Sequence, residues 1–430
     1  MSSPFSARIA VIGAGWAGLA AAVTLVGQGR PVTLFELAAR PGGRARSVER
    51  HGEQFDNGQH ILIGAYRDTL ALMRRVGADP DTLLHRQPLT LVQPGRQGLR
   101  LPGGPALPAF VRGVLANHDW TLAERLALLR RAARWGAGRF RCDPALSVDA
   151  LCAGLPAALR RDLIEPLCVA ALNTPAAQAS AATLLRVLQD ALFSGPGAAD
   201  LLLPRAPLQD LLPAPALAWL AARGTDIRLG HRVETLQASA DGWAVDGEGF
   251  AAVVLACPAA EAARLCTDTQ AAWAASAAAL RYEPIVTAFV DTEGARLAQP
   301  MLTLPADARA APAQFVFDLG ALGGPAGRLA FVISGAAPWV ARGRDAIAAA
   351  LLAQARVHWP AAPWTRTWRL GPMWIEKRAT FRCTPGLQRP RATIAPGLVA
   401  AGDHVDGPYP ATLEGAVRSG VAAARELLGH

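Results

Sequence analysis

Three glycines mark the first chemistry in this chain. Gly13, Gly15 and Gly18 form a G-x-G-x-x-G run, with Trp16 and Ala17 between the second and third. Arg8–Ile12 upstream reads as a short buried strand, and residues 16–28 downstream read as an Ala/Leu-rich helix ending at Gly29. Residues 31–36, PVTLFE, read as a second strand closed by Glu36. Each part has a physical job. Gly13 makes a tight turn, Gly15 lets backbone approach a pyrophosphate, and Gly18 lets the helix lie close on a sheet. The helix N-terminus offers free N–H groups and a positive dipole end to phosphate. Glu36 can accept from both ribose hydroxyls, and its charge repels a 2′-phosphate. The glycine run alone is a weak signal; the strand, helix, strand and acid around it make it a dinucleotide site. The same run explains why the uncharged stretch 9–27 is read neither as a signal peptide nor as a membrane span.

Further pieces of the same kind follow. Arg40, Gly42, Gly43 and Arg44 form a loop in which the glycines permit a tight turn and Arg44 can neutralise a phosphate. Residues 398–403, LVAAGD, read as a strand ending at Gly402 and Asp403, and 412–428 read as a closing helix that begins at Thr412. VVLACP, residues 253–258, reads as another strand of the nucleotide fold. The spacing Glu36-x(5)-Gly42-Gly43-Arg44 resembles the fingerprint of the amine-oxidase and phytoene-desaturase flavoproteins. That resemblance implies FAD rather than NAD, with Asp403 at the ribitol and the last helix directed at the flavin ring. IRLGHRV, with His231–Val233, then looks like the strand whose valine backbone meets adenine. Gly58 and Arg40 complete the expected cofactor-binding set.

The segments DNGQHILIGAYRDTL (56–70), EPLCVAALNT (165–174), DLLLPRAPLQDLL (200–212), EKRATF (376–381) and AGDHVDGPYPATLEGAVRSG (401–420) resemble the hydroxysqualene dehydroxylase family along nearly the whole chain. The resemblance implies that hydroxysqualene and reduced flavin give squalene, water and oxidised flavin. Its allylic hydroxyl leaves a resonance-stabilised cation that hydride can quench. The protein must then supply an acid, a dry slot and an apolar tunnel. His60, Tyr409, Asp406 and Glu414 are the acid candidates, each with a plainer alternative. His60 is also read as a loop histidine, Tyr409 as packing, and Glu414 as a cap of the last helix's first turn. Lys377 and Arg378 are read either as neutralising groups or as a surface pair, and Trp374 as slot lining or core. A carotenoid-type desaturase or isomerase is the nearest rival, followed by a flavin amine oxidase and, in another class, a non-catalytic flavin or lipid carrier. Cys383 precedes Asp403 by twenty residues, which does not match a flavin-linking cysteine.

Positioning these groups requires an α/β fold: a Rossmann-like, discontinuous FAD-binding domain from 1–85, 205–265 and 390–430, with a mixed α+β substrate domain from 86–204 and 266–389. Residues 108–141 and 158–193 read as helical, 285–291, 314–318 and 328–334 as strands, and 344–357 as a helix. Hydrophobic residues at 51% against 18% charged allow a large core and exclude disorder. The six cysteines show no C-x-x-C pair and no zinc spacing, so no metal is expected and a reducing cytosol suits them. The net charge of +9 comes with no basic–aromatic motif, so nucleic acid is not expected as a partner. A lipophilic triterpene substrate argues instead for peripheral contact with the inner face of the plasma membrane. In 120–140, Leu122, Leu126 and Leu129 face one way and Arg125, Arg130, Arg131 and Arg134 another, between Trp120, Trp135 and Phe140. Such a helix suits either a membrane interface or a cover over the core.

Overall fold

The structure is a computed structural model, and it describes residues 8–429. Its organising element is a six-stranded sheet in the order Asp226–Leu229, Val32–Glu36, Ile9–Ile12, Ala252–Leu255, Leu398–Ala400 and Thr393–Ala395. The first five strands run parallel and the last is antiparallel. The central strands are apolar without interruption because both faces of the sheet are covered. Ile9, Val11, Leu34, Val254 and Val399 join one core with the helices Trp16–Gly27 and Leu413–Leu428. Their neighbours Ala10, Ile12, Phe35, Val253 and Leu255 turn to the opposite core, where they meet Trp243 and Phe250 of a small antiparallel sheet. The first and last helices touch closely. A Cβ on Gly420 would sit 2.0 Å from the Ala17 carbonyl oxygen. Only a glycine lets the C-terminal helix lie against the helix that begins at the glycine run.

A second, five-stranded antiparallel sheet has the order Met301–Thr303, Phe315–Asp318, Arg328–Ile333, Tyr282–Asp291 and Arg369–Phe381. Strand alternation divides its side chains. Val286, Ala288, Val290, Phe331 and Met373 pack on the helix Arg344–His358. Ile285 and Phe289 point to the other side, toward the core shared with the nucleotide sheet.

The helical stretches differ from the continuous runs expected over 108–141 and 158–193. The first is two helices, Ala106–Ala116 and Leu122–Ala137, because Asn117 ends one and Thr121 starts the next. Thr121 and Glu124 form a reciprocal capping box, a signal already present in the local sequence. The second stretch breaks after Glu165–Leu172, where Asn173 turns left-handed with φ 45°, and resumes at Ala181–Phe193 behind the Ser180 cap. No helix among the described residues is long and apolar enough to cross a membrane.

Candidate active site

The site begins where Ile9–Ile12 ends. The helix Trp16–Gly27 starts behind Gly15 with no side chain capping it, so its first N–H groups suit an anion. A Cβ on Gly18 would lie 1.8 Å from the Gly13 carbonyl oxygen, so a larger residue would push the helix off the turn. The Arg40–Arg44 loop folds over this turn. The Gly42 N–H donates to the Ala14 carbonyl at 2.8 Å, and Trp16 Nε1 donates to the Ala45 carbonyl at 3.0 Å. The Glu36 carboxylate accepts from the Ala14 N–H at 2.6 Å and the Ala38 N–H at 2.8 Å, which fixes it beside the turn. An uncapped helix end, two glycines in contact across the loop and an acid at the strand end together fit a dinucleotide cofactor.

Two of the expected cofactor residues sit differently. Arg40 is paired at the surface with Glu49, 2.9 Å away. Val233 is not in a strand: the pairing stops at Leu229, Gly230 turns with φ 69°, and the chain beyond it has no ladder. The N–H groups of Gly230 and His231 still bond the Ala38 and Glu36 carbonyls, which holds Val233 beside the acid. Val233 is buried, and its carbonyl accepts from Arg264 at 2.6 Å.

The C-terminal segment approaches the same turn from the other side. Arg44 forms an ion pair with Asp403 and donates to the Ala379 carbonyl at 3.0 Å. Burial by itself would raise the Asp403 carboxyl, but Arg44, helped by His404, holds it well below the usual carboxylate range. Burial likewise disfavours the Arg44 charge, and Asp403 more than restores it. His404 is buried, and its Nε2 has no partner. The Gly402 N–H donates to Ser419 Oγ at 3.0 Å, and Thr412 caps the last helix by accepting from the Gly415 N–H at 2.9 Å.

The four acid candidates separate by environment. The His60 ring lies against Gly58, with Nδ1 3.1 Å from the Gly58 carbonyl. Burial, and then the charge of Arg44, lowers its pKa, so the neutral imidazole is favoured. Tyr409 is buried in a left-handed turn at φ 60°, edge-on to Tyr66 at 6.2 Å. Burial and the neighbouring Asp190 carboxylate push its phenol up to about 12. Asp190 is in turn held by Arg186 at 2.8 Å.

Glu414 does not cap its own helix. Its fully buried carboxylate accepts from the Asp68 N–H at 3.1 Å, the Thr69 N–H at 2.9 Å and Thr69 Oγ1 at 2.7 Å. It caps the helix Arg67–Arg75, whose N-cap residue Tyr66 supplies no cap of its own. Asp406 is exposed, accepting from the Gly407 N–H at 3.0 Å and pairing with Arg389 at 3.3 Å. Lys377 and Arg378 are exposed, as a surface pair would be.

Sequence reasoning missed Thr287, Asp190 and Tyr66. Thr287 stands opposite Trp374 in the pairing of Tyr282–Asp291 with Arg369–Phe381. Thr287 Oγ1 and Trp374 Nε1 are both buried without a partner. A Cβ on Gly58 would lie 3.4 Å from His60 Cε1 and 3.9 Å from Thr287 Oγ1, so the three residues share one corner. One signal was available: a lone hydroxyl between Ile285 and Phe289 on one face of an otherwise apolar strand.

Residues 16–428 match the family of flavin containing amine oxidoreductases. A hydroxysqualene dehydroxylase of Zymomonas mobilis is 28% identical over 98% of this chain and 99% of its own. A zeta-carotene desaturase of Zea mays is 39% identical, but over only 20% of this chain and 16% of its own. Among solved structures, an oxidoreductase from Methanosarcina mazei has a TM-score of 0.76 at 17% identity, covering 97% of this chain and 100% of that one, which shows the shared fold. The match over nearly the whole length, on top of the glycine turn, the acid and the C-terminal strand and helix, means that the chain belongs to the flavin-containing amine oxidoreductase family.

Proposed function

We propose that this protein is an FAD-dependent dehydroxylase that converts hydroxysqualene to squalene. The observation that carries the reading is the end-to-end similarity to a hydroxysqualene dehydroxylase, where the desaturase similarity is confined to one fifth of the chain. Reduced FAD supplies a hydride, and the overall change is R–OH plus H⁺ plus hydride to R–H plus water. The glycine turn, Glu36, Arg44 and Asp403 hold the cofactor.

The remaining work belongs to side chains. A buried polar atom without a partner costs about 1–3 kcal/mol, and two such atoms facing each other next to His60 are read as the place for a polar group of the substrate. Thr287 Oγ1 and Trp374 Nε1 are such atoms, and they receive the substrate hydroxyl. Ile285 and Phe289, on the face shared with Thr287, keep water away from the hydrocarbon. His60, in the same corner, protonates the departing hydroxyl from its imidazolium form, the minor form that grows as pH falls. Tyr409, whose phenol burial and Asp190 push up to about 12, anchors the C-terminal segment to Asp190 instead. Glu414 and Asp406 have no part in the chemistry, the one occupied by three hydrogen bonds and the other exposed.

The test is anaerobic mixing of the dithionite-reduced holoenzyme with hydroxysqualene. Return of the oxidised flavin spectrum with squalene formed is expected; a reduced flavin indifferent to the alcohol overturns the reading. The pH dependence tests His60. Its pKa lies below the ordinary value, so the protonated fraction grows as pH falls below neutrality. The single-turnover rate should rise over that range and become flat in His60→Asn. An unchanged profile in the variant removes His60 from the acid role.

A further inference from the structure

We infer that the helices Ala106–Ala116 and Leu122–Ala137 form a docking surface for an anionic lipid bilayer. Ten large apolar side chains are exposed among the described residues, and five of them lie on these two helices: Leu107, Val111, Leu115, Leu122 and Leu126. Scattered exposed leucines are ordinary, but a contiguous set requires a cause. Leu107, Val111 and Leu115 follow one another at four-residue spacing, so they form a single stripe. Leu122 and Leu126 repeat that spacing on the next helix. The two helices are joined where Arg125 donates to the Leu115 carbonyl at 2.5 Å. Phe193, also exposed, lies past the far end of the second helix, edge-on to the buried Phe140 at 5.4 Å between ring centres.

Charge selects the partner. Residues 106–141 contain seven arginines against one aspartate and one glutamate. Glu124 is consumed by its capping box, whereas Arg112, Arg130 and Arg134 are exposed beside the leucines. A second copy of this chain on the same face would bring arginine against arginine. A bilayer with phosphate headgroups accepts both features at once: leucines enter the acyl boundary and guanidinium groups bind phosphate. At 11 and 16 residues, with arginines along their length, the helices lie on the membrane and do not span it.

The helix Ala181–Phe193 carries Asp190 beside Tyr409 and, three residues later, the exposed Phe193. One helical turn thus separates Phe193, at the far end of the second helix, from the C-terminal segment at Tyr409. The inference rests on the surface and stands whichever lipid the enzyme transforms.

The experiment is flotation of the flavin-loaded protein with vesicles of equimolar phosphatidylcholine and phosphatidylglycerol, at low and high salt, with phosphatidylcholine vesicles alone as the comparison. The native protein should float with the anionic vesicles and be released in part by salt. A Val111→Asp/Leu122→Asp/Leu126→Asp variant and an Arg130→Gln/Arg134→Gln variant should each bind roughly tenfold or more weakly. Both should keep flavin absorbance, the thermal midpoint and turnover of detergent-dispersed substrate. If the aspartate variant loses flavin, the arginine variant and the salt dependence decide. Native protein left at the bottom of the gradient at low salt overturns the proposal, as do variants that float like native. So does a native dimer, seen by mass photometry, that the leucine substitutions dissolve, because the face would then belong to a second copy. Flotation that persists while hydroxysqualene is not turned over would sink the reaction reading alone.

Discussion

The helices Trp16–Gly27 and Leu122–Ala137 are written largely in alanine and leucine, yet they live in opposite surroundings. In the first, every residue from Trp16 to Leu25 is buried, and no charged side chain is present. In the second, which is longer, only Leu128 is fully buried, while Leu122 is 59% exposed. The first helix is enclosed by the nucleotide sheet and the C-terminal helix; the second rests on the helix Ala106–Ala116 and on the Leu151–Ala153 segment, and leaves its other side open. Apolar composition therefore does not by itself place a helix inside. Charge on the flanks and the number of elements that can reach it decide. A helix buried all round is a structural platform, here behind the glycine turn. A half-covered one with arginines is a surface waiting for a partner.

The contrast can be broken in graded ways. The largest effect should come from Arg44→Ala, which strands the buried Asp403 carboxylate beside the platform. A loss of about 3–5 kcal/mol is expected, with poor flavin retention, read from urea denaturation and the visible spectrum. A variant as stable as native would mean that the pair is dispensable. Leu25→Ala, within the buried helix, should cost about 2–5 kcal/mol in the same assay, since the leucine is wholly enclosed.

Asp56 tests the antiparallel pair of strands Ser47–Arg50 and Glu53–Asp56 that follows the Arg40–Arg44 loop. Burial pushes its carboxyl up to about 6, while Ser47 and the Leu208 N–H both donate to Oδ1. An acid raised on folding favours the protonated native state, so its ionisation lowers stability as pH rises from about 4 to about 6. Asp56→Asn keeps Oδ1 as an acceptor and removes that loss. The variant should gain up to about 3 kcal/mol on native between those limits, measured as the difference in denaturant midpoint against pH. A constant difference across the range would show that Asp56 does not titrate there. The smallest effect should be Leu122→Ala, within about 0.5 kcal/mol without lipid. A loss comparable to Leu25→Ala would mean that the exposed helix is covered in solution, and would remove the contrast.

Local spacing carried much of the nucleotide site. The strand, glycine turn and helix at 9–27, the strand ending at Glu36 and the strand before Gly402 and Asp403 were legible because each depends on neighbours a few residues away. Strands such as Phe315–Asp318 and Arg328–Ile333 were legible from short apolar runs. The ends of the helices were harder: the break at 117–121 was encoded in Thr121 and Glu124, but it is masked by leucines on both sides. The family resemblance implies a strand at Val233, yet Gly230 turns the chain away before the ladder can continue.

Alone, the sequence determined the glycine turn, the acid at the next strand's end and the alternating strands, because these follow from φ/ψ preferences and periodicity within a dozen residues. Only the tertiary structure decided that Asp403 meets Arg44, that Glu414 caps the start of the Arg67–Arg75 helix, and that Thr287 shares a corner with His60. It also decided which leucines were left in water. These are contacts between residues hundreds of positions apart, and nothing in a local pattern records them; they exist only after the two sheets and the C-terminal helix close on one another and exclude solvent.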